Sequence, residues 1–143
     1  MSTLNPYLSF RDTARQALEF YHGVFGGELT VSTFGEFHAS EDPAEQDKIM
    51  HGQLTTPAGF TLMGSDTPNS MDVTQGDNIS ISLSADSDGE QELRGYWDAL
   101  AEGGTVAQPL VLAPWGDYFG MLQDKHGVNW LVNVAGPTGA SEG

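Results

Sequence analysis

Asn5-Pro6-Tyr7-Leu8-Ser9-Phe10 leads through Asp12-Thr13 into a run from Ala14 to Phe25 that stops on Gly26-Gly27, and this succession decides the fold. In the first segment Leu8 and Phe10 share one face of a strand, while Asn5, Tyr7 and Ser9 share the other. In the second, Ala14, Ala17, Leu18, Tyr21 and Phe25 recur at helical spacing and form an apolar stripe. Asp12 or Thr13 suits the start of that helix, and a glycine pair suits its end. Glu28 to Phe34 follows as a β-branched strand, then an acidic loop around Ala39 to Asp47. Lys48 to Thr55 reads as a strand, Pro57-Ala58-Gly59 as a turn and Phe60 to Gly64 as its hairpin partner.

After a polar linker, Thr67 to Gly76, the same order begins again. Asn78 to Leu83 alternates, with Ile79, Ile81 and Leu83 against Asn78, Ser80 and Ser82. A helix from about Gly89 to Glu102 ends at Gly103-Gly104. Val106 to Leu112 is a strand in which Pro109 marks an edge or a bulge. Tyr118 to Gln123, the turn Asp124 to Gly127 and Val128 to Val134 complete the copy, and Gly136 to Gly143 is a small-residue tail expected to be disordered. The copies match at constant offsets within elements. Leu8 and Phe10 pair with Ile81 and Leu83, Phe20 with Trp97, Gly26-Gly27 with Gly103-Gly104, and Gly52, Leu54 and Gly59 with Gly120, Leu122 and Gly127.

The expected fold is therefore α+β: two tandem βαβββ modules, about 4–67 and 77–134, in a single domain. Their strands are expected to form a curved mixed sheet, a half-barrel cup with the helices on its convex side. Residues opposite the helix-facing set should line the hollow: Asn5, Tyr7, Ser9, Asn78, Ser80 and Ser82 from the first strands. Leu54 and Met50 belong with the helix, so His51 and Gln53 point the other way, as Phe119 and Met121 do in the second copy. Met63 and the loop residue Trp115 join this set, whose mixture of aromatic, thioether and neutral polar groups is typical of small-molecule pockets.

Composition narrows the partners. The chain of 143 residues carries 20 acidic side chains against 5 basic ones, for a net charge of -15. Nucleic acid and anionic membrane surfaces, which demand clustered Lys and Arg, are poor partners. An acidic surface of this kind keeps a protein soluble and would also suit a cationic ligand. There is no cysteine, hence no thiol nucleophile and no thiolate metal site. No apolar stretch approaches the roughly 20 residues of a membrane span. The N-terminal residues lack the basic and apolar regions of a leader, and the expected location is cytoplasmic.

Among the histidines, His51 is the candidate for chemistry, as a general base or a hydrogen-bonding group on a strand facing the hollow. His22 and His126 are expected to be exposed. His38 lies near Glu36, Glu41 and Asp42 at irregular spacing for a metal site. No nucleophile elbow, phosphate loop or dinucleotide fingerprint occurs. Tyr7, Trp115, Phe119 and Trp130 could stack on a flat or cationic ligand, although Val128 and Val132 beside Trp130 favour a core position for it.

These residues resemble those of a known group. Asn5 to Phe10, Ala17-Leu18-Glu19-Phe20-Tyr21, Ile49-Met50-His51-Gly52-Gln53-Leu54, Leu62-Met63-Gly64-Ser65-Asp66, Trp115-Gly116 and Asp124-Lys125-His126-Gly127-Val128-Asn129-Trp130 occur in the order found in the PhnB-like branch of the vicinal oxygen chelate superfamily. That superfamily includes glyoxalases, bleomycin-resistance proteins and extradiol dioxygenases. The resemblance spans about Leu4 to Val134. It implies a cup that in the enzymes holds a divalent metal on His, Gln and Glu ligands near the first and last strands. Here the first-strand positions carry Asn5 or Pro6 and Asn78 or Ile79, and the last-strand positions near Met63 and Leu131 carry no carboxylate. No metal site and no cofactor are expected. The resemblance then implies a metal-free small-molecule-binding protein, a homodimer like the bleomycin-resistance members, with Tyr7, Ser9, Gln53, Met63, Asn78, Ser80, Trp115, Phe119 and Met121 around the ligand and His51 as the residue that could catalyse. The alternative is a lyase, isomerase or dioxygenase that depends on a divalent metal or on His51.

Overall fold

The structure, a computed structural model, describes residues 2–136. The chain divides between Thr74 and Gln75 into two compact units. The first contains β1 (Tyr7–Phe10), α1 (Ala14–Phe25), β2 (Glu28–Thr33), β3 (Ile49–Thr55) and β4 (Thr61–Asp66). The second contains β5 (Ile81–Ala85), α2 (Glu90–Ala101), β6 (Thr105–Leu112), β7 (Tyr118–Gln123) and β8 (Asn129–Val134). Each unit is a βαβββ module with its own four-stranded mixed sheet, ordered β1-β4-β3-β2 and β5-β8-β7-β6. In each, the last strand lies parallel to the first and antiparallel to the third. The architecture is the expected α+β repeat.

The helices form for the reasons their sequences suggest. Ala14, Ala17, Leu18, Tyr21 and Phe25 of α1 are buried against the sheet. Burying a side chain such as Leu18 contributes about 2 kcal/mol. Leu18 reaches the sheet where Gly52 leaves room, since a Cβ at Gly52 would run into the Leu18 methyl. Trp97 does the same over Gly120, where a Cβ would sit 2.7 Å from the indole. The chain leaves α1 through Gly27, which has φ +94° and lies so close to the Thr55 carbonyl that a Cβ would collide with it. Gly104 meets the Gln123 carbonyl in the same way. The hairpin turns also repeat. Thr56 N–H donates to Phe60 O and Gly59 N–H to Thr56 O, while Asp124 N–H donates to Val128 O and Gly127 N–H to Asp124 O.

The internal alignment differs from expectation in two places. Gly64 pairs with Leu8 and Gly52, and Val132 pairs with Leu83 and Gly120. Leu8 therefore corresponds to Leu83, and Phe10 to Ala85, two residues beyond the expected match. As a consequence Asn78, Ile79 and Ser80 precede β5 rather than forming its start. In the helices, Tyr21 is buried while Phe20 is only half-buried, so Tyr21 rather than Phe20 is the counterpart of Trp97. A bulge also alters β3. Ser32 lies opposite His51 but Thr33 lies opposite Ile49, so Met50 is the extra residue, and Ile49 takes the buried position expected of it.

The acidic loop of the first unit is organised around a buried carboxylate. Pro43–Glu45 forms a 3-10 turn whose Glu45 is 5% exposed. Ser40 hydroxyl donates to Glu45 Oε1 at 2.6 Å and Asn69 N–H donates to Oε2 at 2.5 Å. These two bonds, and more weakly the Lys48 ammonium, hold the Glu45 carboxyl below the usual carboxylate range, against the opposing effect of burial. Lys48 is held above its usual value by its hydrogen bond to Asp12, 2.7 Å away. Arg11 donates to the Thr67, Pro68 and Met71 carbonyls, fixing the start of the linker, and Gln75 donates to Gly127 O at 2.6 Å, fixing its end. Of the expected tail, residues 137–143 lie outside the described residues. Gly136 is held, its N–H donating to Asp117 Oδ1 at 3.2 Å.

The start of α1 lacks a side-chain cap from Thr13 or Asp12. Its cap comes from β4. Asp66, 5% exposed, accepts from Ala14 N–H and from Ile49 N–H, both at 2.9 Å. Asp66→Ala leaves two buried donors unmatched and should lower stability by about 2–4 kcal/mol in urea unfolding. A loss under ~0.5 kcal/mol would show that this carboxylate does not hold the module together. Glu45 makes a second prediction, for acid. A carboxyl held below its unfolded value stabilises the fold above about pH 4.5 and loses that contribution as pH falls through its folded value. The melting temperatures of the wild type and Glu45→Gln should therefore differ at pH 7 and converge in acid. A gap that stays constant down to pH 3 would contradict the assignment.

Candidate functional site

Because a helix covers one face of each sheet, alternate residues present the other. In the first unit the pairing sets out that open face row by row. Met63 lies between Tyr7 and Gln53, Gln53 faces Thr30, Ser9 pairs with Ser65, and His51 pairs with Ser32. The Tyr7 and His51 rings lie 5.8 Å apart and tilted by 35°. Tyr7 is 48% exposed, and His51, Gln53 and Met63 are half-buried. Among the described residues, neither the Tyr7 hydroxyl nor the His51 imidazole is hydrogen-bonded to another protein group. Gln53 has only a long contact, 3.5 Å, to Thr55 Oγ1. The face thus presents an aromatic ring, a thioether, an imidazole, an amide and hydroxyls.

The second unit carries different chemistry at the same places. The shared register of Gly52 with Gly120 sets Phe119 where the first unit has His51, Met121 where it has Gln53, and Leu131 where it has Met63. Ser82 pairs with Leu131 and Ser84 with Asn133. Trp115, 61% exposed, stands on the turn Ala113–Gly116 and meets Phe119 edge to face, with centroids 5.5 Å apart. The turn is held by Asp117, 2% exposed, which accepts from the Asn133 amide and Gly136 N–H. This face sets Phe119, Met121 and Leu131 beside Ser82, Ser84 and Asn133, with an aromatic pair at one end.

Tyr7, Ser9, His51, Gln53 and Met63 are brought together on the first face, and Trp115, Phe119 and Met121 on the second. Asn78 and Ser80 fall outside both sheets, in the exposed segment before β5, and the first-strand serines of the second sheet are Ser82 and Ser84. Trp130 is core: it is 2% exposed and its Nε1–H donates to Asp124 Oδ2 at 2.9 Å. His126 is half-buried rather than exposed, and burial pushes its imidazole below the usual value. Sequence reasoning did not single out Thr30, Ser32 and Ser65, or Ser84 and Asn133, and named Leu131 only as a last-strand position without a carboxylate. Strand alternation carried onward from Met63 and Ser82 would have found Ser65 and Ser84.

The side chains on these faces bear on the divalent metal that the resemblance implies. Among the described residues no three His, Cys, Asp or Glu side chains come together as ligands, and His38 has no such cluster around it. The first face supplies one imidazole, and its thioether is a soft ligand ill suited to hard divalent ions. These residues do not fit that group.

Residues 2–133 match a family model described as 3-demethylubiquinone-9 3-methyltransferase. Protein YjdN of Escherichia coli strain K12 is 31% identical over 142 residues, covering 92% of this chain and 94% of YjdN. The crystal structure of protein PA1353 from Pseudomonas aeruginosa is 38% identical, with a TM-score of 0.80, covering 95% of this chain and 99% of that one. The PhnB protein of Bacillus cereus shares the fold at 23% identity and a TM-score of 0.73, over 94% of this chain and 100% of its own. With the repeat, the sheet order and a match along nearly its whole length, the chain belongs to the family described as 3-demethylubiquinone-9 3-methyltransferase, and it shares its fold with the PhnB protein and with a glyoxylase/bleomycin resistance protein/dioxygenase domain from Frankia.

Proposed function

We propose that this protein binds a small organic molecule on the open faces of its sheets, without a metal, as a binding protein of the glyoxalase and bleomycin-resistance type. The observation that carries this reading is the Tyr7–His51 pair: two hydrogen-bonding rings turned away from the core, without protein partners among the described residues, beside Gln53 and Met63. A core histidine is normally satisfied by its neighbours, whereas a binding face keeps its donors and acceptors available. The Trp115–Phe119 pair supports the same reading in the second unit, since an aromatic platform open to solvent suits stacking. A metal-dependent enzyme is disfavoured by the donor set.

The same reading holds the protein to be cytoplasmic and a homodimer. No helix among the described residues is long and apolar enough to cross a membrane. Support for self-association comes from β6, an edge strand on which Val106, Val111 and Leu112 are exposed beside Trp115. Exposed apolar side chains gathered at one edge are typical of a covered surface.

Two outcomes are expected. A thermal-shift screen of small organic molecules should yield a ligand that raises the melting temperature, because binding to the folded form alone adds to its stability. His51→Ala should weaken that ligand about tenfold or more while changing the stability of the free protein little, and unchanged affinity would remove His51 from the site. Light scattering at micromolar concentration should report a dimer, and a monomer would overturn the assembly.

A further inference from the structure

The charges of this chain are partitioned. Among the described residues the eight strands contain two carboxylates, Glu28 and Asp66, and no lysine or arginine. Asp66 is 5% exposed, and its two oxygens accept the Ala14 and Ile49 N–H groups. Glu28 opens β2 opposite Thr55, at the far end of that strand from the Ser32–His51 pair. Three of the five basic groups are engaged elsewhere: Arg11 on the linker carbonyls, Lys48 on Asp12, and Arg94 on Glu90 and over the Tyr118 ring; Arg15 lies on α1 and Lys125 in the β7–β8 turn. The rows formed by Tyr7, Met63 and Gln53 and by His51 and Ser32 therefore hold hydrogen-bond donors and acceptors with no carboxylate, lysine or arginine among them.

Resting on the binding function proposed above, we infer that the ligand of the first unit's open face is uncharged: a flat ring carrying a hydrogen-bonding group. Tyr7 and His51 would stack and read its polar edge, Gln53 would supply a paired donor and acceptor, and Met63 would provide a polarizable apolar floor. An ion placed there would lose water and meet no carboxylate, lysine or arginine in these rows, which disfavours it relative to a neutral ring. An anion would meet, in addition, the field of a chain with net charge -15. A cation would be drawn toward that field at long range, but attraction from acids on helices and loops is screened over about 8 Å at physiological salt. Acidity here repels anions from the molecule. It does not place a carboxylate where a bound cation would need one.

The test uses three ring-matched probes on the full chain: 2-naphthol, 2-naphthoate and 2-naphthylmethylammonium, titrated by calorimetry at low and high sodium chloride. The expected result is that 2-naphthol binds at least about tenfold more tightly than either ion and is insensitive to salt, a tenfold ratio being the smallest that separates one missing charge partner from none. Gln53→Glu should reverse the order, weakening 2-naphthol and making the ammonium probe the tightest, with affinity that now falls as salt rises. Tightest binding by either ion in the wild type would overturn the neutral-ligand inference and leave the binding reading intact. A 2-naphthol affinity and probe order unaltered by Gln53→Glu would overturn the assignment to this face. If none of the three produces heat or shifts the melting temperature, the flat-ring inference falls, and the binding reading falls with it only if the wider screen also yields no ligand.

Discussion

A helix can cover only one face of a four-stranded sheet, and in both units it is seated by a glycine in the third strand. Leu18 of α1 lies on Gly52, and Trp97 of α2 lies on Gly120. Because side chains alternate along a strand, that seat assigns the rest. Gly52, Leu54, Leu62 and Gly64 go inward with Leu18, while His51, Gln53 and Met63 are left outside. Gly120, Leu122, Trp130 and Val132 go inward with Trp97, and Phe119, Met121 and Leu131 are left outside. A larger residue at either glycine would lift the helix and open the core, so the buried set and the open set are decided together.

Outside this shared frame the two modules have diverged by solving the same local problems with different groups. The buried start of α1 is capped across the sheet by Asp66. The register equivalent in the second unit is Val134, and α2 instead begins with Glu90 and Glu92 in its first turn, where negative charge complements the helix dipole. The β3–β4 turn is tied by the Thr56 hydroxyl, which accepts from Phe60 N–H, while the β7–β8 turn uses Asp124. Asp124 additionally accepts from His126 N–H and from the Trp130 indole, and so fastens the turn to the core. Duplication conserved backbone geometry and left the side chains free to specialise, as the contrast between His51 and Phe119 shows.

Element order, the two helix stops and the facing of His51, Gln53, Phe119 and Met121 were legible because they depend on period and on glycine, both of which are written locally. The register of the first strands was not. A shift of two residues leaves every side chain on the same face, so alternation cannot distinguish Ile81 from Leu83 as the partner of Leu8. The choice is made by pairing with β8, a contact remote in sequence, and it moved Asn78 and Ser80 off the sheet. The helix match slipped by one residue because Glu102 intervenes between the end of α2 and Gly103, whereas Gly26 follows α1 directly. Glu45 was hidden for another reason. Composition marks an acidic loop as solvated, and only folding brings Asn69 and Ser40 onto that carboxylate.

The distribution of charge gives the excess acid a physical meaning that its total does not. A net charge of -15 on a small chain opposes compaction by self-repulsion, and the cost is least when like charges stand apart in water. Strands pack neighbours within about 5 Å, so carboxylates directly opposite one another in a sheet repel most strongly. Helix surfaces and loops spread them farther, and Glu90 and Glu92 at the start of α2 are placed where the dipole favours them. Keeping carboxylates out of the sheets thus follows first from stability. Its consequence bears on the proposed function: the strands that form the open faces carry two carboxylates and no lysine or arginine among the described residues, so the recognition proposed for them would rest on shape, rings and hydrogen bonds.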